Sequence, residues 1–346
     1  MKTFDVTDIH AGKRADVCIA DTYLELTRGQ IVKAIKAGDV LLNDKSFKPS
    51  HKLKTGDVLT VPEITETSDV LTPNSKIPLS IIAETDDFLV INKPRGLQVH
   101  PSHTEKRNTL ANALLDYYPN IIEVGDEPGE TNQRPGIMSR LDKYTSGLMV
   151  IAKNQETFLE LKSLFADRKV QKTYETLVWG VPKDPTGTID APIARAVGYT
   201  RQKVAFGKFT GDAKDAVTDY ETLASYDVAE LLGINNKKQR TRAGIADGDQ
   251  QMLSHLRVTP HTGRMHQIRV HLAHIGRSIV GDIKYERKNE KLPNKKLFAL
   301  VETLTPEDYQ TFYLHAAALE FTLGGKLHTF KAPLPNHFQT LLENLQ

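Results

Sequence analysis

RPGIMSRLDKYTSGLMVIAKN, residues 134–154, changes character at its middle. Its first half is polar and turn-forming, whereas LMVIA (148–152) is an unbroken apolar run of the kind that forms a strand covered on both faces. Asp142 sits in the polar turn just before that strand, between Arg140 and Lys143, two cations that favour a carboxylate. A carboxylate at the edge of a core can serve as nucleophile or base, and neighbouring cations can also engage phosphate. An aspartate in a loop is most often a turn or cap residue. The residue pattern by itself therefore leaves Asp142 open between the two.

Working outward, QETFLELKSLFADRK (155–169) predicts a helix with Phe158, Leu161, Leu164 and Phe165 on one face and Asn154 as its cap. VQKTYETLVWG (170–180) predicts a strand. Its alternation puts Lys172, Tyr174 and Thr176 on one face and Thr173, Glu175 and Leu177 on the other. Upstream, LSIIAETDDFLVINKPRGLQVHP (79–101) reads as two strands around a DD turn, broken by Gly96 and Pro101. In HTGRMHQIRVHLAHIGR (261–277), Ile268, Leu272 and Ile275 recur at helical spacing before Gly276. That helix sets His271 and His274 one turn apart, near His266 and Arg269. A metal pair would need a third ligand, and none is identifiable, so packing or RNA contact is the expectation for these histidines. Residues 233–251 are polar and aperiodic and read as a surface insertion.

The first 62 residues differ in kind. Between Arg28 and Lys54 there are seven Lys or Arg against Asp39 and Asp44, a net +5 on a short stretch. Ile31, Ala34 and Ile35 predict a short amphipathic helix stopped at Gly38, and Val40 to Leu42 and TGDVLTV (55–61) predict strands. Residues 63–78, with Pro73 and Pro78, read as a linker. The expected organisation is a basic unit over 11–62, a linker over 63–78 and a larger unit over 79–346.

Composition narrows the function classes. Hydrophobic residues at 39% and charged residues at 25% suit a folded chain with a sizeable core. One cysteine, Cys18, excludes an internal disulfide framework and a Cys-rich zinc cluster. The N-terminus carries charges where a secretory signal needs an apolar run, and no stretch approaches a membrane span. A cytoplasmic protein without membrane contact is expected. Net charge is only +2, so affinity for nucleic acid has to be read from local clusters. Neither a dinucleotide-binding glycine fingerprint nor a P-loop is present, and no cofactor is expected.

RLDKYTSGLMVIAK (140–153) resembles the signature of RluA-type pseudouridine synthases. VINKPRGLQVHP (90–101) precedes it. VQKTYETLVWG, AKDAVTDYETL (213–223), HTGRMHQIRVHLAHIGRSIVGDIKY (261–285) and LHAAALEF (314–321) follow, in the family's order. RGQIVKAIKAGDVLLNDKSFKPSHKLKTGDVLTV (28–61) resembles the alpha-L RNA-binding motif first known from ribosomal protein S-four, which points to the RluD-like subgroup. The resemblance implies an α+β chain, with a mixed, mainly antiparallel sheet in a catalytic domain and a small N-terminal α/β RNA-binding domain. It implies cofactor-free isomerisation of uridine to pseudouridine in RNA. Ribosomal RNA of the large subunit is the favoured substrate and transfer RNA the second, with no obligate protein partner. By this resemblance Asp142 matches the catalytic aspartate, Arg269 the arginine that pairs with it, and Tyr174 the tyrosine that lies against the flipped uracil. Arg140 matches the arginine that enters the RNA where the nucleotide leaves, and Lys143, Arg28, Lys33, Lys36 and Lys52 are further candidate RNA contacts. Lys93 and His100 fall in a family motif and read as turn residues rather than catalytic ones.

Two positions depart from the family pattern. Ser139 stands where His is usual before the arginine, and Met265 where Thr is usual before His266. Neither is one of the four matched residues, so substrate preference is affected more than chemistry. The rival class is an RNA-binding assembly factor that keeps the fold without turnover, though plain binding does not require the carboxylate. A zinc nucleobase deaminase lacks its ligand signature in this chain.

Overall fold

The computed structural model describes residues 2–23, 28–61, 70–102, 104–196, 201–205, 213–227, 252–285 and 312–345. The expected insertion at 233–251 lies outside them. The chain divides into two compact units, Met1–Asp69 and Val70–Gln346.

The first unit contains strand β1 (Lys2–Asp5), helices α1 (Ala15–Thr22) and α2 (Arg28–Ala37), and strands β2 (Leu41–Leu42) and β3 (Val58–Val61). The three strands form one antiparallel sheet in the order β1-β3-β2. Ile31 and Ile35, one turn apart on α2, close over Cys18, Ile19, Leu53 and Leu59 in a single core. Gly38, at φ 83°, ends α2 in the left-handed conformation that a glycine adopts without cost. Asp16 is buried beneath two arginines, with Arg14 Nε at 3.0 Å and Arg28 Nη2 at 2.9 Å. The unit begins earlier than residue 11. Lys2–Asp5 has too little apolar alternation to announce a strand, and pairing with β3 supplies what its own pattern lacks.

In the second unit, β4 (Ile81–Glu84) and β5 (Phe88–Lys93) lead to helix α3 (Leu110–Tyr117), strand β6 (Ser146–Ala152), helix α4 (Gln155–Ala166) and strand β7 (Gln171–Trp179). Short strands β8 (Thr186–Asp190), β9 (Ile193–Arg195) and β10 (Gln202–Val204) precede the long pair β11 (Val217–Asp227) and β12 (Met252–Pro260). Helix α5 (Gln267–His274), strands β13 (Leu314–Leu323) and β14 (Lys326–Lys331) and helix α6 (Asn336–Asn344) complete it. Among the described residues the main sheet has nine strands in the order β4-β5-β6-β13-β7-β12-β11-β8, with β14 beside β13. Every pairing is antiparallel except β6 with β13. The mixed, mainly antiparallel sheet matches the expectation.

Strand β6 is buried along its whole length, as an apolar run without alternation requires. Gly147 lets β13 come close: a Cβ built there would lie 2.3 Å from the Ala316 carbonyl oxygen, and the backbone stands at φ 115°. Asn154 caps α4 by accepting the Thr157 N–H at 2.9 Å. Residues 70–78, which read as linker from their prolines, belong to the second unit. Leu71 lies in its core, and the Asn74 amide donates to the Arg107 carbonyl at 2.8 Å. One buried leucine among turn residues is too weak a periodic signal to mark this edge.

Candidate active site

Asp142 stands at the lip of β6, in a turn closed by the Thr145 N–H on the Asp142 carbonyl at 3.1 Å. Lys93 fastens that turn from below. Its ammonium is fully buried and donates to the carbonyls of Pro94 (2.8 Å), Leu97 (2.9 Å) and Lys143 (3.2 Å). Burial pushes the Lys93 pKa down to about 7, against the pull of Asp142. Three carbonyls satisfy a cation that would otherwise be costly in a core. Lys93 thus joins the loop after β5 to the turn carrying Asp142.

Helix α5 presents Arg269 to the same point. Its Nη1 donates to Asp142 Oδ2 at 2.8 Å, while Nε and Nη2 grip Asp282 at 2.6 and 2.9 Å. Arg269 is 6% exposed and Asp282 1%, so the guanidinium is held between a buried carboxylate and a cleft carboxylate. Burial disfavours its charge, but hydrogen bonds and charge from Asp282, and then Asp142, outweigh this and raise its pKa. Two aromatic rings lie close to the guanidinium carbon, the Phe312 ring centre at 4.2 Å and the Tyr285 ring centre at 4.9 Å. The bidentate grip on Asp282 fixes the plane of the fork, and therefore where Asp142 is held.

Tyr174 comes from β7, and its neighbours across the sheet are Val258 and Ala316. It is 7% exposed, and burial, followed by the Asp142 charge, raises its pKa, so its phenol stays protonated at neutral pH. Two residues earlier on the same face, Lys172 donates to Ser139 Oγ at 3.1 Å and lies 4.8 Å from the Phe165 ring centre. Burial brings the Lys172 pKa down to about 8. Alternation along this strand foretold that Lys172 and Tyr174 share a face.

These groups line a cavity of about 610 Å³ that includes Ser139, Arg140, Asp142, Lys172, Tyr174 and Arg269. A second cavity of similar size also has Asp142 in its wall, together with Lys143, Arg201 and Lys284. Arg140, Asp142, His266 and Arg269 border both. Arg140 and Lys143 are exposed at the rim.

The other candidates are placed as follows. Lys36 and Lys52 are exposed on the first unit. Arg28 is exposed as well but gives two donors to Asp16. The side chain of Lys33 lies outside the described residues. His271 is wholly buried, its ring bonded to Thr218 Oγ1 and the Ala191 carbonyl at 2.9 Å each, which is a packing role. Among the described residues no group of three or more His, Cys, Asp or Glu could hold a metal ion. No helix among them is long and apolar enough to cross a membrane. Asp282, Phe312 and Tyr285 escaped sequence reasoning. Asp282 and Tyr285 lie in the quoted GDIKY stretch, but nothing in their spacing announces a contact with Arg269.

A family model described as RNA pseudouridylate synthase matches residues 87–274, and an S4 domain model matches residues 13–59. The chain is 36% identical over 348 residues to an uncharacterized RNA pseudouridine synthase of Chlorobaculum parvum, covering 99% of this chain and 97% of that protein. It is 37% identical over 257 residues to ribosomal large subunit pseudouridine synthase D of Pseudomonas aeruginosa, covering 74% and 68%. The fold is similar to that of human RNA pseudouridylate synthase domain containing 1. That match has a TM-score of 0.52 at 23% identity and covers 79% of this chain and 96% of the human one.

Proposed function

The chain belongs to the RNA pseudouridylate synthase family, and on that premise we propose that its substrate is a uridine of large-subunit ribosomal RNA and that Asp142, Tyr174 and Arg269 carry the isomerisation. It is an RNA pseudouridine synthase, an isomerase, with an N-terminal S4 RNA-binding domain. In the reaction the bond between uracil N1 and ribose C1′ breaks, and a bond from C5 to C1′ forms. The proton leaves C5 and N1 gains one, so atoms and electrons balance within the nucleoside and water.

The observation that carries the assignment is the Asp142–Arg269–Asp282 arrangement at the junction of two cavities, with Tyr174 in the wall. Arg269 holds Asp142 where a ribose can meet it and keeps a positive charge beside the carboxylate while the base is detached. Before that, the uridine must leave its stack, at a cost of a few kcal/mol. Stacking on the Tyr174 ring returns ~1 to 3 kcal/mol of this. Arg140, exposed at the rim, fills the space the nucleotide leaves, and Lys143 meets phosphate. The exposed Lys36 and Lys52 of the S4 domain give sequence-independent affinity.

Relatives named for the large ribosomal subunit support the choice of RNA. Mapping pseudouridines across total RNA from cells with and without the gene tests it. Loss at a large-subunit ribosomal site is expected. Loss only at transfer RNA sites would overturn the ribosomal assignment, and no lost site would favour a chain that binds without turnover.

A further inference from the structure

One side chain facing Asp142 has no part in the scheme above. His266 precedes α5 in the left-handed conformation, at φ 58° and ψ 20°, a region few residues other than glycine adopt. Its ring borders both cavities and is 13% exposed. The Tyr285 hydroxyl accepts the Gln202 backbone N–H at 3.0 Å and shares a hydrogen bond with His266 Nδ1. With the Tyr285 O–H as the donor in that bond, Nδ1 is the acceptor and Nε2 carries the ring proton, the tautomer on which the substrate contact below depends. An edge-on contact with the Tyr285 ring, centroids 5.4 Å apart, fixes the imidazole plane. Burial pushes the His266 pKa down to about 4 despite Asp142, so the ring is neutral at physiological pH.

Nε2 stands 3.7 Å from Asp142 Oδ2, beyond the reach of a direct hydrogen bond. In that tautomer an N–H donor and a carboxylate acceptor face one small space. A group satisfying both must accept from the imidazole and donate to the carboxylate. A hydroxyl does both, whereas a uracil carbonyl only accepts and would meet the carboxylate lone pairs.

We propose that His266 is a substrate-binding residue whose Nε2–H holds the 2′-hydroxyl of the target ribose while that hydroxyl donates to Asp142, so that the site selects a ribonucleotide at the reacting position. The proposal rests on the reading that places the target sugar against Asp142. A hydroxyl that is donor and acceptor at once is also the feature by which proteins tell RNA from DNA.

The test is a cycle of rates on a synthetic stem-loop, spanning a uridine that the wild-type chain isomerises in ribosomal transcripts and carrying ribose or 2′-deoxyribose there. His266→Asn suits it, because asparagine tolerates the left-handed backbone but is too short to reach the Nε2 position. Loss of one hydrogen bond predicts that the ribo-to-deoxy ratio of kcat/KM falls about tenfold in the variant. A purely structural role would slow both substrates by one factor and leave the ratio unchanged, which would overturn the proposal. Should His266→Asn fail to fold, Tyr285→Phe frees the ring to change tautomer, and the ratio should again fall; an unchanged ratio would overturn the proposal. Nitrogen NMR of the wild-type chain should find the proton on Nε2, and a proton on Nδ1 would also overturn it. If the wild-type chain isomerises no ribosomal transcript, the substrate reading fails first and this inference with it; loss of the ratio effect alone removes only His266.

Discussion

Arg269 donates to Asp142 at 2.8 Å through one arm of its fork while the rest of that fork closes on buried Asp282. The cleft carboxylate is thus tied to the core by a guanidinium that cannot turn without breaking two further bonds. Arg269→Ala leaves Asp282 buried and unpaired, and removing one partner of such a pair costs ~3 to 5 kcal/mol. Asp282→Asn keeps the shape and loses the charge, so it should destabilise less yet still slow turnover by loosening Asp142. Thermal melts and turnover of the two variants check this. Unchanged melting and unchanged turnover for Arg269→Ala would contradict the clamp.

Gly147→Ala tests how the site is mounted. The added Cβ would meet the Ala316 carbonyl oxygen at 2.3 Å on a backbone at φ 115°. Overpacking of this kind costs ~1 to 3 kcal/mol, and the unfavourable φ adds to it. Denaturant unfolding should show the loss, and a variant as stable as wild type would refute the close approach of β6 and β13.

The aromatic wall separates two roles of Tyr174. Its raised pKa leaves a neutral phenol, so Tyr174→Phe should bind RNA within about threefold of wild type, while Tyr174→Ala should lose ~1 to 3 kcal/mol of binding. Phe binding normally but turning over slowly assigns the hydroxyl to a step after binding. Full binding and activity of the Ala variant would remove Tyr174 from the site.

His337 on α6 supplies a pH dependence away from the cleft. Burial first, then the charges of Arg95 and His315, push its pKa down to about 4. The unfolded chain, with histidine near 6.5, binds more protons between these values, so stability rises with pH across that window and is lost as pH falls from about 6.5 to 4. His337→Gln should flatten this part of the stability curve. An unaltered curve would show that the ring is already solvated in the folded chain.

Lys36 and Lys52 stand exposed on the first unit. If both meet phosphate, Lys36→Gln with Lys52→Gln should weaken RNA binding and reduce the slope of log affinity against log salt by about 2. An unchanged slope would return them to a solvated face.

Much of this was legible in the chain because its signals were local. The apolar run at 148–152, the cap at Asn154 and the alternation at Lys172 and Tyr174 each reflect a periodicity that neighbouring residues impose on one another. Asp142 and Arg269 were legible only through resemblance, since their meeting joins residues 127 positions apart. Asp282 and Phe312 stayed hidden for the same reason: a buried aspartate and a ring over a guanidinium are made by tertiary packing, and neither leaves a pattern in spacing. Leu71 shows the converse case, where turn chemistry in the sequence masked a segment that packs on the core.

The central claim, that Asp142 carries the isomerisation, is tested most directly by Asp142→Asn, which keeps the shape of the side chain and removes its charge. Tritium release from carbon 5 of labelled uridine in ribosomal transcripts reads the reaction itself. The predicted result is no detectable release, with folding and RNA binding retained. Release within tenfold of the wild-type rate would contradict the role of Asp142.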